Sequence, residues 1–305
     1  MNRMIGTLFF LLFFALPLFA EPLHVLLNWM PEPEHGGLYA AYADKLFAQR
    51  GLDVSIKPGG ALVNPMAALV SENADVSISD AAAILMARDK GMPVTAFFAT
   101  YDTHPQVLMF HKENPIKDFA DLAGRTVAIT PGAAYWDYLQ KKYRLKGKVK
   151  QINYSGQIAL FLQNKALVTQ AYAHAEPYFA KKEGAHIDAL LIARSGFNPY
   201  GNVYAVKEGY LKSHAQTIQA FFDALQEGWQ RYLANPKRYD QVLMAANRQL
   251  DADFLHWAAQ AQKPFIASEP GTMHAQRWQD LAKELADLGL IKKDLDIDNA
   301  FWIKP

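Results

Sequence analysis

The sequence contains no cysteine. This absence excludes disulfide bonds, thiol catalysis, cysteine-ligated metals and a lipid-modified cysteine anchor. The nine histidines are scattered, without HxxxH or HxH spacing beside a carboxylate, so no metal site is predicted. The GxGxxG, P-loop and serine-elbow motifs are also missing. Nucleotide hydrolysis and serine-nucleophile chemistry are therefore not expected of this chain.

The chain also lacks a strong excess of one charge. Its formal net charge is +1, and removal of Arg3 with the N-terminal segment brings it to zero. The basic run KKYRLKGKVK at 141–150 is typical of a solvated helix end and turn, so a nucleic-acid partner is not expected. Apolar residues make up 51% of the chain, which is enough to build hydrophobic cores.

One long apolar run is present, and it lies at the N-terminus. Arg3 precedes the run 8–18, and the small residue Ala20 stands before Glu21. This pattern predicts a secretory signal peptide, residues 1–20, and a protein that is free in the periplasm. A single-pass membrane anchor is the alternative, although the run is short for a span. Leu18 is larger than the residue usually found three positions before a cleavage site.

The remaining chain is longer than one hydrophobic core normally organises, so two lobes are expected. Strand and helix patterns alternate over 23–100, which favours a parallel sheet covered by helices. A polar break at 101–105 predicts a crossing from lobe one (21–105) into lobe two (106–202), where the alternation repeats. From Gly209 onward the pattern is helical, and we expect residues 203–305 to return to lobe one and complete it.

Residues 26–60 predict a strand, a loop, a helix that ends at Gly51, and a second strand. Open α/β folds bind ligands at the carboxyl ends of their parallel strands, so the loop 28–35 is the first candidate site. Trp29 can stack on an aromatic ring or pack beneath the loop. His35 can bond a ligand or hold a turn, and Tyr39 can face the same opening or join the core. The candidates from this unit are Asn28, Trp29, His35 and Tyr39.

Two further strand ends in lobe one carry polar residues. Ser79 and Asp80 follow the strand that ends near Ile78, and Asp80 can contact a ligand or cap the next helix. Tyr101 and Asp102 follow the third strand, where the Asp102 carboxylate can accept from a ring amino group.

In lobe two, Gly132 lies at a predicted helix start, whose free backbone donors favour a phosphate, sulfonate or carboxylate. Tyr135 and Trp136 follow it and can line a binding site. Glu176, in AHAEPYF, can face the candidate site or can be an acid favoured at a helix start. The candidates in the return loop are Asn198, Tyr200 and Asn202.

Four segments carry a resemblance to a known family: LLNWMPEPEHGGLYAAYADKLFAQRGLDVSIKPGG, ADVSISDAAAILMARDKGMPVTAFFA, DFADLAGRTVAITPG and AEPYFA. Together they resemble the periplasmic solute-binding proteins of ABC importers. The similar branch includes thiamine-pyrimidine-precursor binding proteins, thiamine pyrimidine synthases and alkylsulfonate and taurine binders. The resemblance implies a type II periplasmic binding protein fold, with two α/β lobes, two crossing strands and a helical C-terminal tail on lobe one. It also implies a monomer that binds a small molecule without a cofactor and delivers it to permease and ATPase subunits. Among relatives, the acid at Glu176 would pair with the amino edge of an aminopyrimidine.

The synthases of this branch use an active-site lysine, a histidine and an iron-associated cysteine cluster. On the resemblance, these positions fall at Ser79, at Ala83 and within 197–206, which contains no cysteine. A serine cannot form a Schiff base with pyridoxal phosphate, so we expect binding and not catalysis. The leading hypothesis is capture of a thiamine pyrimidine precursor or a similar heteroaromatic for import. The alternatives are a sulfonate-type anion binder, a synthase-like enzyme, and a binding protein that serves a membrane sensor.

Overall fold

The computed structural model describes residues 22–61 and 63–304, so the predicted signal peptide lies outside the described residues. In the described part of the chain, ten strands form two five-stranded sheets. The strands are β1 (Leu23–Leu26), β2 (Val54–Lys57), β3 (Val76–Ser79), β4 (Val94–Tyr101), β5 (Gln106–His111), β6 (Thr126–Ile129), β7 (Lys150–Asn153), β8 (Leu167–Tyr172), β9 (Ile187–Leu191) and β10 (Gly201–Lys207).

α-Helices fill most of the connections between these strands and form the C-terminal third. They are α1 (Gly36–Ala43), α2 (Pro65–Val70), α3 (Ala81–Asp89), α4 (Ala134–Lys142), α5 (Ala159–Gln163), α6 (Glu176–Lys182), α7 (Glu208–Ser213), α8 (Ala215–Ala234), α9 (Asp240–Ala246), α10 (Ala252–Ala261) and α11 (Ala275–Leu288).

The two sheets have matching topologies. Sheet one has the order β2-β1-β3-β10-β4 and sheet two the order β7-β6-β8-β5-β9. In sheet one β1 pairs in parallel with β2 and β3, and β10 is antiparallel to β3 and β4. In sheet two β6 is parallel to β7 and β8, and β5 is antiparallel to β8 and β9. The strand that follows each crossing, β5 or β10, is antiparallel to both of its neighbours. β5 lies between β8 and β9, and β10 lies between β3 and β4.

We refer to sheet one with its helices as lobe one and to sheet two with its helices as lobe two. The chain crosses between them twice, at 102–105 and at 192–200. The boundaries predicted at 105 and 202 remain a proposal, which this distribution of strands supports.

Side-chain caps define the starts of two helices in lobe one. Asn64 accepts a hydrogen bond from Ala67 N at 3.1 Å, and Pro65 occupies the first turn of α2. Asp80 Oδ1 accepts from Ala83 N at 2.8 Å, which confirms its capping role at α3.

The first helix is shorter than predicted. It ends at Ala43 and not near Gly51, because the chain turns at Lys45, whose φ is 56°. A 3₁₀ turn, Ala48–Arg50, then leads to Gly51, which ends that turn with φ 74°. Gly51 still lies at the end of the predicted helical segment, but the turn at Lys45 and the 3₁₀ turn separate it from α1.

Helix α8 packs directly against α1 in the core of lobe one. A Cβ added at Gly37 would lie 2.3 Å from the Trp229 ring, and one added at Gly228 would lie 2.2 Å from Gly37 O. Both glycines are therefore required by the close approach of the two helices.

The C-terminal helices contact both lobes. Phe254 of α10 packs on Phe179 of α6 with ring centroids 4.6 Å apart, and Lys182 of α6 pairs with Asp251 at 2.6 Å. Helix α11 packs against both α3 and α4. The tail therefore completes lobe one through α8 and also reaches lobe two through α10 and α11.

Candidate ligand-binding site

Polar residues from both lobes meet where the strands of the two sheets end. In lobe one, the loop after β1 brings Asn28, Glu34 and His35 together with Asn202 at the start of β10. We call these four residues the lobe-one cluster. In lobe two, Tyr154, Tyr172, His174 and Glu176 lie after β7, at the end of β8 and at the start of α6. We call these four the lobe-two cluster.

The lobe-one cluster is held together by its own hydrogen bonds. Asn28 Nδ2 donates to Glu34 Oε1 and to Asn202 Oδ1, each at 3.3 Å. His35 Nε2 lies 2.9 Å from Asn28 Oδ1, and Asn202 Nδ2 donates to the Glu34 carbonyl at 3.3 Å. Asn202 adopts φ 44°, a left-handed conformation that asparagine tolerates better than most residues. This network joins the β1 loop to β10.

His35 is neutral in this network. Its side chain is 0% exposed, and its Nδ1 accepts from the Glu32 N–H at 3.3 Å, so the ring proton sits on Nε2. Burial lowers the pKa of His35, although Glu34 acts in the opposite direction. Burial also acts to raise the pKa of Glu34, but its polar neighbours outweigh this effect and leave that pKa below its usual value. The neighbours that lower the pKa of Glu34 are His35 first, then His174 and Asn28.

Glu176 anchors the lobe-two cluster. Its carboxylate accepts from Tyr154 Oη at 2.6 Å and from Tyr172 N at 2.7 Å. Burial raises the pKa of Glu176, and these two hydrogen bonds offset only part of that effect. Across the interlobe region, burial raises the pKa of Glu32, and the charges of Glu34 and Glu176 raise it further. Each lobe thus contributes a carboxyl group that holds its proton more readily than usual.

His174 links the two clusters. It is 1% exposed, and its ring lies between those of Tyr101 and Tyr172, at centroid distances of 5.6 Å and 5.5 Å. His174 Nε2 is 3.3 Å from Tyr101 Oη and 3.8 Å from Glu34 Oε2. Lobe one and lobe two are therefore joined through a buried polar contact.

The acids of this region are not neutralised by basic side chains. In the described part of the chain, neither Glu32, Glu34, Asp80 nor Glu176 forms an ion pair with a lysine or arginine. Among residues 22–61 and 63–304, no group of three or more histidines or acids is arranged to hold a metal ion. The interlobe region therefore suits a ligand that donates hydrogen bonds or carries positive charge.

Several predicted residues lie in or beside this region. Trp29 is partly exposed and faces lobe two, because a Cβ added at Gly156 would lie 2.8 Å from Trp29 Cη2. Ser79 is partly buried at the end of β3. The Asp80 charge raises the pKa of Tyr172, after the larger effects of burial and Glu34. Tyr135 donates from Oη to Gln170 at 2.9 Å, and ligand contacts by all four remain predictions.

Four other predicted residues have structural contacts of their own, and a ligand contact by each of them remains a prediction. Tyr39 belongs to the lobe-one core, and Trp136 packs in a core while its Nε1 donates to Gln151 at 2.8 Å. Asp102 is 59% exposed and pairs with Arg277 at 2.5 Å. Tyr200 packs near Trp278, and its Oη accepts from His274 N at 3.0 Å. Their polar groups are already bonded, or their rings are enclosed by apolar neighbours.

Two other candidates have structural positions. Asn198 joins the crossing segments, since its Oδ1 accepts from His104 N at 2.8 Å and its Nδ2 donates to Asp102 O at 3.3 Å. Gly132 is exposed and has φ 77°, which allows the turn before α4. An anion at that helix start remains a prediction.

Glu34, His174 and Gln262 lie in or beside the two clusters, although the sequence does not predict them as site residues. Glu34 and His174 lie within the segments PEPEHGG and AHAEPYF, next to residues that were selected. Gln262 is 0% exposed and bonds Tyr101 Oη at 2.8 Å, but nothing in the local sequence indicates this contact.

The two α/β lobes, two crossings and shared polar region define a protein of the periplasmic binding protein fold. The crystal structure of the periplasmic aliphatic sulphonate binding protein of Escherichia coli is similar, with a TM-score of 0.75 at 17% identity. The alignment covers 94% of this chain and 93% of that protein. Helices long and apolar enough to span a membrane are absent from residues 22–61 and 63–304.

The NMT1/THI5-like family model matches residues 32–239, and the chain belongs to this family. A riboflavin-binding protein of Chloroflexus aurantiacus is 24% identical, over 90% of this chain and 83% of its own. A formylaminopyrimidine-binding protein of Halalkalibacterium halodurans is 25% identical, over 73% of this chain and 70% of its own. A 4-amino-5-hydroxymethyl-2-methylpyrimidine phosphate synthase of Saccharomyces cerevisiae is 22% identical, over 82% and 78%.

Proposed function

We propose that this protein is the periplasmic substrate-binding component of an ABC importer and that it captures a thiamine pyrimidine precursor or a similar amino-bearing heteroaromatic. The observation that carries the proposal is the set of interlobe carboxyl groups, Glu32, Glu34, Asp80 and Glu176, which pair with no lysine or arginine of residues 22–61 and 63–304. The family membership and the binding-protein relatives support it.

The raised pKa values of Glu32 and Glu176 suit an aminopyrimidine edge. A protonated carboxyl donates to a ring nitrogen while its carbonyl oxygen accepts from the adjacent amino group. An ionised carboxylate instead pairs with a protonated ring, and such charge-assisted bonds are short and strong. Either state gives two parallel hydrogen bonds to one edge of the ring.

Trp29 supplies the flat apolar surface of the proposed site. It stands in the loop after β1 and faces Gly156 of lobe two. A ring bound between the lobes would stack on the indole, and closure of the lobes would exclude water from the ring.

A sulfonate-type anion is the alternative ligand. It would use the backbone donors near Gly132, but it would also meet interlobe carboxyl groups that have no lysine or arginine partner among the described residues. The likeness to the sulphonate-binding protein, at 17% identity, concerns the fold alone.

A synthase-like enzyme is the alternative activity. The chain has Ser79 and Ala83 where the resemblance expects the lysine and histidine of the synthases, and it has no cysteine. A serine hydroxyl cannot form the lysine imine on which that chemistry depends. Capture without catalysis therefore fits this chain better.

The proposal includes separate permease and ATPase partners, a periplasmic location and a monomeric state. A membrane sensor is an alternative partner that the same binding event would serve.

Calorimetric titration tests the ligand class. The probes are formylaminopyrimidine, 4-amino-5-hydroxymethyl-2-methylpyrimidine, riboflavin and taurine. We expect saturable binding of an aminopyrimidine, weakened about tenfold or more by Trp29→Ala because a buried aromatic contact is lost. Tyr42→Ala is the matched control, since Tyr42 is 50% exposed on α1 and should leave binding unchanged. Binding of taurine with no response to the pyrimidines would overturn the assignment.

A further inference from the structure

A chain of buried hydrogen bonds ends at His174. Gln262 Nε2 donates to the Pro33 carbonyl at 2.9 Å, and Tyr101 Oη donates to Gln262 Oε1 at 2.8 Å. Tyr101 Oη is also 3.3 Å from His174 Nε2. The side chains of Tyr101, Gln262 and His174 are all at least 99% buried. We call this chain the Gln262 relay.

The relay fixes the position of each proton. The Pro33 carbonyl can only accept, so the amide nitrogen of Gln262 faces it and the amide oxygen faces Tyr101. Tyr101 has one hydroxyl proton and gives it to that oxygen, so its own oxygen must accept from His174. The second neighbour of His174 Nε2 is the Glu34 carboxylate, which is also an acceptor. His174 Nε2 therefore carries the proton, and in the neutral ring Nδ1 presents a lone pair.

The Nδ1 atom of His174 is buried and has no hydrogen-bond partner among the described residues. A proton on Nδ1 would be a buried donor without a hydrogen-bond partner among the described residues, and burying such a donor costs free energy. The ring stands one residue from the start of the Glu176 helix and beside Tyr172. The ring that carries this acceptor therefore lies among the residues of the lobe-two cluster.

We propose that His174 Nδ1 accepts a hydrogen bond from an N–H group of the ligand, with Tyr101 and Gln262 as positioning residues that hold the required tautomer. This inference rests on the proposed function and narrows it. The site would distinguish ligands by an amino or ring N–H donor, because an analogue without the donor leaves the buried Nδ1 unpaired.

The tautomer can be tested without any ligand. Imidazole ¹⁵N spectra of the protein, with His174→Gln used to assign the resonance, should show a protonated Nε2 and an unprotonated Nδ1. Tyr101→Phe keeps the ring but removes the oxygen, so it should produce a mixture of tautomers. Gln262→Leu should do the same from the far end of the relay. A wild-type His174 protonated on Nδ1 would overturn the relay.

The ligand contact is tested by two variants that retain different halves of the imidazole. The asparagine amide of His174→Asn overlays Nδ1, whereas the glutamine amide of His174→Gln overlays Nε2. We expect His174→Gln to weaken binding of 4-amino-5-hydroxymethyl-2-methylpyrimidine about tenfold or more, and His174→Asn to weaken it less. The wild-type protein should lose a similar factor for the pyrimidine in which methyl replaces the amino group.

The outcomes separate this inference from the proposed function. Tight binding of the aminopyrimidine with equal affinity for its methyl analogue would sink the role of His174 and leave the ligand class intact. Failure of all the pyrimidines would remove the ligand class and the donor contact together, while the ¹⁵N spectra would still decide the relay.

Discussion

The two halves of the interlobe region differ in how completely their polar groups are bonded. In the lobe-one cluster, Asn28, His35 and Asn202 use their side chains on one another and on Glu34. In the lobe-two cluster, His174 retains an unpartnered nitrogen within the described structure. A polar network in which every group is hydrogen-bonded has a fixed geometry, whereas a group without a partner is still able to accept a hydrogen bond from a ligand. Under the proposed function, we expect the lobe-one cluster to hold the geometry of the site and His174 of the lobe-two cluster to add a hydrogen bond to the ligand.

We expect the largest effect from a substitution that removes hydrogen bonds of the lobe-one cluster. His35→Leu leaves Asn28 Oδ1 and the Glu32 N–H without their partner, so we expect a loss of about 3 kcal/mol in the free energy of unfolding. Urea denaturation measures this loss. His24→Leu on β1 is the matched control, because His24 is 39% exposed and its partner Asp75 can turn to water. Equal losses for the two variants would contradict the distinction.

The pH dependence of stability sharpens the same contrast. Burial lowers the pKa of His35, so below pH 6.5 the unfolded chain binds a proton that the folded protein does not. The contribution of His35 to stability is complete above pH 6.5 and declines by about 1 kcal/mol per pH unit as the pH falls toward the folded-state pKa. The pKa of His104 is lowered by burial in the same sense.

Glu32 and Glu176 have the opposite effect on the pH dependence of stability, since they stabilise the folded protein at lower pH. The pKa values of Glu32 and Glu176 are raised chiefly by burial, so their contribution to stability declines as the pH rises above 4.5. The comparison of wild type with His35→Gln at pH 5.5 and pH 7.5 isolates the histidine. If both proteins lose the same stability between these pH values, His35 is not buried as a neutral ring.

The smallest expected effect lies outside both clusters. Arg277 of α11 pairs with Asp102 at 2.5 Å, donates to Asn198 O at 2.8 Å and stacks over the Tyr200 ring at 3.9 Å. Because Asp102 is largely exposed, Arg277→Met should cost only on the order of 1 kcal/mol in urea denaturation. The Kd for an aminopyrimidine should stay within twofold of the wild-type value, which is a change of about 0.4 kcal/mol or less in the free energy of binding. A loss of binding comparable to that of His174→Gln would assign ligand recognition to the crossings.

Much of the fold follows from local sequence. The alternation of strands and helices, the cap at Asn64 and the cap at Asp80 all depend on neighbouring residues. The early end of α1 does not, because the left-handed turn at Lys45 has no distinctive residue type. Strand β8 was not predicted either, since its segment LVTQAY lies between a short helix and a turn without strong boundary signals.

The site is predictable only where strand ends indicate it. The carboxyl end of β1 marks Asn28 and Trp29, and the acid before a proline marks Glu176. The sequence alone cannot tell which side chain of AHAEP faces the other lobe, so His174 was missed. Gln262 reaches Tyr101 from the end of α10, and this contact exists only after the C-terminal helices pack.

Gly156 has a consequence for the timing of capture. A side chain there would collide with the Trp29 indole, and its φ of 78° further disfavours other residues. Gly156 therefore allows the Trp29 ring to approach lobe two closely, and under the proposed function a side chain there would hinder closure of the lobes. A closed binding protein releases its ligand with a low dissociation rate, whereas one that cannot close fully releases it with a higher dissociation rate. The residence time of the ligand would then depend on the absence of a Cβ at Gly156 in lobe two, although the proposed stacking residue, Trp29, lies in lobe one.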